Sequence, residues 1–159
     1  MKVINIRGVG VDALVGPEHG ATRMYIWCVT AQAGQVIGMH HHNGEELIRV
    51  LYGRLHFRVE NATREVGAGE VVILPAGTRH GYRALEDTEI EVYGEIGAGE
   101  FLTVRDADGT MRTEEVFVVG APWSRKPVDS SQYLTHEELL AKYQASVETD
   151  PLDLPQEVA

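Results

Sequence analysis

His40 and His42 stand two residues apart, Glu46 follows four residues later, and His80 lies in a separate segment of the chain. Side chains alternate along an extended strand, so the two imidazoles project from one face and His41 from the other. Asn43-Gly44 is a turn-forming pair. The chain is expected to reverse there and return Glu46 beside the imidazoles, while His80 arrives on a strand preceded by Pro75-Ala-Gly77. Three neutral imidazoles and one carboxylate form a mixed N/O set suited to one divalent transition metal, whether iron, manganese, nickel, cobalt or zinc. An octahedral ion held by four such groups keeps two positions open for substrate, water or dioxygen.

Two longer patterns surround these residues. Gly34-x5-His40-x-His42-x3-Glu46-x6-Gly53 resembles the first signature of the cupin superfamily. Gly69-x5-Pro75-x-Gly77-x2-His80 resembles the second, and fifteen residues separate them. The resemblance covers about the central third of the chain and implies an all-β fold, a cupin-type, jelly-roll-like barrel with the metal inside. It also implies a homodimer. The sequence departs from the family pattern at Ala84, where an Asn would follow the last His by four residues; the metal ligands are unaffected, but a polar amide is missing from the pocket wall.

Composition narrows the function. With 24 acidic and 14 basic residues, a net charge of −10 repels polyanions, which excludes nucleic-acid partners. Cys28 is the only cysteine, so no internal disulfide forms and a reducing compartment is compatible. No segment approaches the roughly twenty apolar residues that span a bilayer, and no apolar leader follows Met1, so a cytoplasmic protein without a membrane partner is expected. The length of 159 residues suits one domain.

Short apolar runs alternate with Gly, Asn and Asp from residue 24 to 119, which is strand rhythm. Met24–Val29, Glu46–Tyr52 and the alternating Leu55, Phe57 and Val59 are strands, the last with Arg54, His56 and Arg58 on a polar outer face. Glu70–Leu74 reads as a strand buried on both faces, of the kind that lies in a dimer sheet. Phe101–Arg105 and Met111–Val119 form a hairpin across Asp106-Ala-Asp-Gly109. The barrel and its connecting arm, with Trp123 packed back on it, occupy residues 1–127. A helical extension occupies 128–147, where the capping box Thr135-His-Glu-Glu138 opens a helix from His136 to about Ala145 with Leu139, Leu140 and Tyr143 as its apolar stripe. Residues 148–159 form an acidic tail expected to be disordered.

Strand alternation assigns the remaining pocket candidates. Tyr82 and Ala84 share the face of His80, and Ile48 and Val50 that of Glu46. Tyr82 therefore offers a phenol beside the metal as a hydrogen-bond donor or acid–base catalyst. His41, His56 and Glu45 face away, and the direction of Arg79 is not fixed. Open coordination in an apolar barrel points to an enzyme acting on a small organic molecule. The first expectation is a dioxygenase, because a divalent ion with three imidazoles and one carboxylate leaves a monocationic site that accepts an anionic chelate. The alternatives are a non-redox isomerase, lyase or decarboxylase, and a binding module without turnover.

Overall fold

The computed structural model describes residues 3–6 and 9–118, and these build two antiparallel six-stranded sheets that face each other as a barrel. The first sheet runs β1 (Val3–Ile6), β2 (Val9–Val15), β3 (Met24–Ala31), β10 (Thr88–Glu95), β5 (Glu46–Tyr52) and β8 (Val71–Leu74). The second runs β12 (Met111–Val118), β11 (Gly99–Arg105), β4 (Val36–His42), β9 (His80–Ala84), β6 (Arg54–Val59) and β7 (Ala62–Gly67). A short 3-10 helix at Pro17–His19 links β2 to β3. The expected helix at 136–145, the arm with Trp123 and the acidic tail lie outside the described residues.

Period-two patterning explains the core. On β5 the inward residues Glu46, Ile48 and Val50 are buried while Arg49 is exposed; on β10 Ile90 and Val92 alternate with Glu89 and Glu91. Leu55 and Phe57 of β6, Val66 of β7, Val72 and Leu74 of β8, and Tyr82 and Ala84 of β9 complete one continuous apolar cluster. Each large side chain so buried contributes about 1.5–3 kcal/mol relative to exposure, so the two sheets are joined by their facing side chains. The hairpin of β11 and β12 forms as expected, with Arg105 opposite Met111 and the Gly109 N–H donating to the Asp106 carbonyl.

Three details differ from the sequence expectations. Asn43-Gly44 does not close a hairpin: β4 and β5 belong to different sheets, so the chain crosses there from one wall of the barrel to the other. Asn43 Oδ1 accepts the Gly99 N–H at 2.7 Å and the Glu45 N–H donates to Glu95 at 2.7 Å, which fixes that corner. β8 is buried on one face only. It is an edge strand paired with β5 alone, and Val71 and Ile73 remain 42% and 61% exposed. Arg58, expected on a polar outer face, is buried, its Nε donating to the Glu60 carbonyl at 2.6 Å.

Two motif glycines serve different ends. Gly53, in the β5–β6 turn, has φ +78° and no room, since a Cβ there would run into the Asp87 carbonyl and Thr88. Gly34 has φ +88° but open space around it. Gly53→Ala therefore meets backbone strain and a clash, and Gly34→Ala strain alone. In urea melts Gly53→Ala is expected to lose more than about 1 kcal/mol and Gly34→Ala distinctly less; equal losses would show that the clash at Gly53 relaxes freely.

Candidate metal centre

β4 and β9 pair so that His40 lies directly across from His80, with ring centroids 4.3 Å apart. His42, two residues along β4, points the same way and is also buried. His41 faces the other side and stacks on Phe101 at 5.1 Å, in keeping with its exclusion from the ligand set. Glu46 is the first residue of β5 and reaches in from the opposite sheet: its Oε2 lies 2.7 Å from His42 Nδ1 and its Oε1 3.3 Å from His80 Nε2. The four side chains predicted from sequence are thus brought together inside the barrel.

Two residues at this centre escaped the sequence reading. Glu100 on β11 is paired with His42 on β4, and its Oε1 lies 3.2 Å from His42 Nε2 and 3.5 Å from His40 Nε2. Among the described residues, His40, His42 and Glu100 form the group whose ligand atoms all lie within 4.8 Å of one another. The signal was present in Glu100, Leu102 and Val104, a carboxylate in phase with two buried aliphatics. Tyr25 on β3 is the second; its hydroxyl donates to Glu46 Oε2 at 3.3 Å. Both Tyr25 and Glu46 pair with Gly94 of the intervening β10, and a side chain at Gly94 would collide with the Tyr25 ring. The glycine leaves the lane through which the phenol reaches the carboxylate.

Backbone carbonyls set the tautomers. His40 Nδ1 donates to the Gly38 carbonyl at 2.8 Å and His80 Nδ1 to the Thr78 carbonyl at 2.9 Å. A carbonyl only accepts, so each Nδ1 carries its proton and each neutral ring turns a bare Nε2 lone pair inward. Those lone pairs face carboxylate oxygens, His40 toward Glu100 and His80 toward Glu46. The His80 contact is within ion-pair range but lacks hydrogen-bond alignment, and His80 Nε2 is a buried atom with no hydrogen-bond partner. Lone pair against anion in a buried site is unfavourable unless a cation lies between them. The donor set therefore fits a metal ion.

Electrostatics follow from this crowding. Burial, followed by the neighbouring His80 and His42, holds His40 well below the ordinary imidazole value and keeps it neutral. Burial also pulls His42 down, but Glu46 and then Glu100, one at each ring nitrogen, more than offset it and raise its pKa. Burial pushes Glu46 up, yet the His42 ring against its Oε2 leaves it lowered. Tyr82 is raised by burial and by the charges of Glu46 and Glu100, and so keeps its proton at neutral pH. It packs 5.6 Å from Phe57, whose ring stacks in turn on His80.

A model of the cupin domain matches residues 27–94, the span that carries β3 to β10 and all four predicted ligands. The chain carries a cupin domain over these residues. Solved structures resemble its fold: KdgF from Halomonas sp. is 20% identical with a TM-score of 0.55, covering 60% of this chain and 87% of that one. A conserved-barrel cupin from Salinispora arenicola is 21% identical with a TM-score of 0.52, over 58% and 80% of the two chains. An oxalate decarboxylase variant from Bacillus subtilis is 18% identical with a TM-score of 0.54, and this cupin spans 59% of itself against 27% of that longer chain. No match was found among curated proteins.

The charge pattern predicts a pH signature in chelator-treated cupin. A folded His42 pKa above the ordinary 6.5 means that His42 adds stability fully present below pH 6.5, lost as pH rises through the folded value. Buried neutral His40 acts oppositely, so the His42 part is isolated as the melting-temperature difference between wild type and His42→Gln. That difference is expected to be largest below pH 6.5 and to shrink at alkaline pH; a difference that grows with pH would contradict the paired imidazolium.

Proposed function

We propose that this cupin is a mononuclear metal enzyme acting on a small oxygen-bearing organic substrate, with His40, His42, Glu46 and His80 holding a divalent transition ion. The observation that carries the reading is the pair of inward Nε2 lone pairs aimed at buried carboxylates, an arrangement that a cation relieves. When bound, such an ion supplies Lewis acidity toward a substrate oxygen. The chain supplies the rest. Ile48, Val50 and Phe57 line an apolar interior that excludes water, which strengthens each polar contact made inside. Tyr82, protonated and within that wall, donates a proton or hydrogen bond to the substrate and is not suited to remove one.

Between redox and non-redox chemistry, charge is the guide. The case for oxygenation rests on a monocationic site that draws in an anionic chelate. Glu100 places a second carboxylate against His40 and His42, so a divalent ion with three neutral imidazoles and two carboxylates carries no net charge. That supports the non-redox class, isomerisation, elimination or decarboxylation, over a dioxygenase. A homodimer formed through the exposed apolar side of Val71 and Ile73 on edge strand β8, and a reducing, cytoplasmic setting for the single thiol of Cys28, belong to the same proposal.

Two measurements test it. The metal content of purified cupin is determined, and β-diketones, flavonols and hydroxylated aromatics are then supplied to iron- and nickel-loaded protein under air and under argon. No oxygen uptake with any of these substrates is expected; stoichiometric oxygen uptake would restore the dioxygenase, and protein that takes up no transition metal would end the proposal. Tyr82→Phe should keep its metal and lose roughly 10²-fold or more in turnover; unchanged turnover removes Tyr82 from the mechanism.

A further inference from the structure

We infer that Glu100 is itself a metal-binding residue, a second carboxylate ligand supplied by a strand outside both sequence signatures. The inference rests on the proposed metal site and extends it. Ligands bound at about 2.1 Å to one ion lie about 3.0 Å apart at right angles and about 3.4 Å apart at the tetrahedral angle. Glu100 Oε1 lies 3.2 Å from His42 Nε2 and 3.5 Å from His40 Nε2, the separations of groups that share an ion. The His40 separation is not served by a direct hydrogen bond, because the His40 proton is committed to the Gly38 carbonyl, whereas the His42 contact is a hydrogen bond when that ring is protonated and a shared-ion separation when it is not.

The two carboxylates are not equivalent. Glu46 Oε2 is engaged by the Tyr25 hydroxyl and by His42 Nδ1, so Glu46 also orients the His42 ring and leaves that ring's Nε2 directed at Glu100. Such a carboxylate–histidine pair is the usual way a ligating imidazole is held in place. Glu100 comes from β11, which is hydrogen-bonded to β4 at the ligand positions themselves, with Glu100 opposite His42 and Phe101 opposite His41. The hairpin of β11 and β12 thereby becomes part of the metal site. Were Glu100 bound alongside the other four groups, an octahedral ion would keep one open position, which would favour a substrate attaching through a single oxygen over a two-oxygen chelate.

The test uses full-length protein loaded with Co(II), whose visible spectrum reports its ligands, and compares wild type, Glu100→Gln and Glu46→Gln. Chelator competition gives the affinity, and melting of the metal-free proteins checks the fold; Glu100→Ala is carried in parallel so that a folding defect in one variant leaves the other to read. Glu100→Gln is expected to weaken Co(II) binding by about 100-fold or more and to alter the spectrum. It should also let the chelating acetylacetonate anion perturb the spectrum at a concentration about 10-fold lower or less than in wild type. An unchanged spectrum in Glu100→Gln, even with weaker binding, would mean that Glu100 acts only through its charge and would overturn the inference. Wild-type protein that binds no Co(II) would instead defeat the metal site as a whole.

Discussion

Three imidazoles and two carboxylates occupy a space from which water is largely removed, and the rest of the barrel is arranged around that fact. An unpaired carboxylate in such surroundings costs several kcal/mol, and a bare imidazole lone pair directed at it adds repulsion. The backbone creates this situation: carbonyls at Gly38 and Thr78 fix the Nδ1 protons of His40 and His80 and so turn their Nε2 atoms toward Glu100 and Glu46. Without an ion, Glu46 and Glu100 at its two ring nitrogens favour the protonated form of His42. A proton and a bound cation would therefore compete for one place.

The two sheets divide the work. Strands β4, β9 and β11 of one sheet are hydrogen-bonded neighbours and present His40, His42, His80 and Glu100 as a single surface. The other sheet contributes Glu46 from β5 and, through the gap at Gly94, the Tyr25 hydroxyl that holds it. The centre thus spans the interface between sheets, and the apolar cluster that joins them also sets the distance across the site. A shift in sheet packing would change the Glu46 contacts before it changed the three imidazoles.

Around the polar centre, aromatic packing limits motion and water. Phe57 lies between His80 and Tyr82, stacked on both, and the β6–β9 register that pairs Phe57 with Tyr82 maintains the stack. Near His80 the backbone is tied down again, because Glu60 accepts the Arg79 N–H on its side chain and donates its own N–H to the Arg79 carbonyl. An imidazole so held would need little reorganisation to meet an ion.

Much of this was legible in local order. Spacing alone placed His40 and His42 on one face and His41 on the other, period two identified Ile48, Val50, Tyr82 and Ala84 as interior, and Asp106 to Gly109 marked a hairpin, because side-chain direction along a strand follows from alternation of the backbone. Local order could not say which strands become neighbours. It made Asn43-Gly44 a hairpin where the chain changes sheets, buried both faces of β8 where an edge leaves one open, and passed over Glu100 and Tyr25, whose roles arise only when β11 pairs with β4 and β3 lies beside Gly94. The sequence by itself determined which groups can bind a cation and which way each faces along its strand. The tertiary structure decided how many of them share one centre, since pairing between strands distant in sequence is set by the packing of the whole barrel.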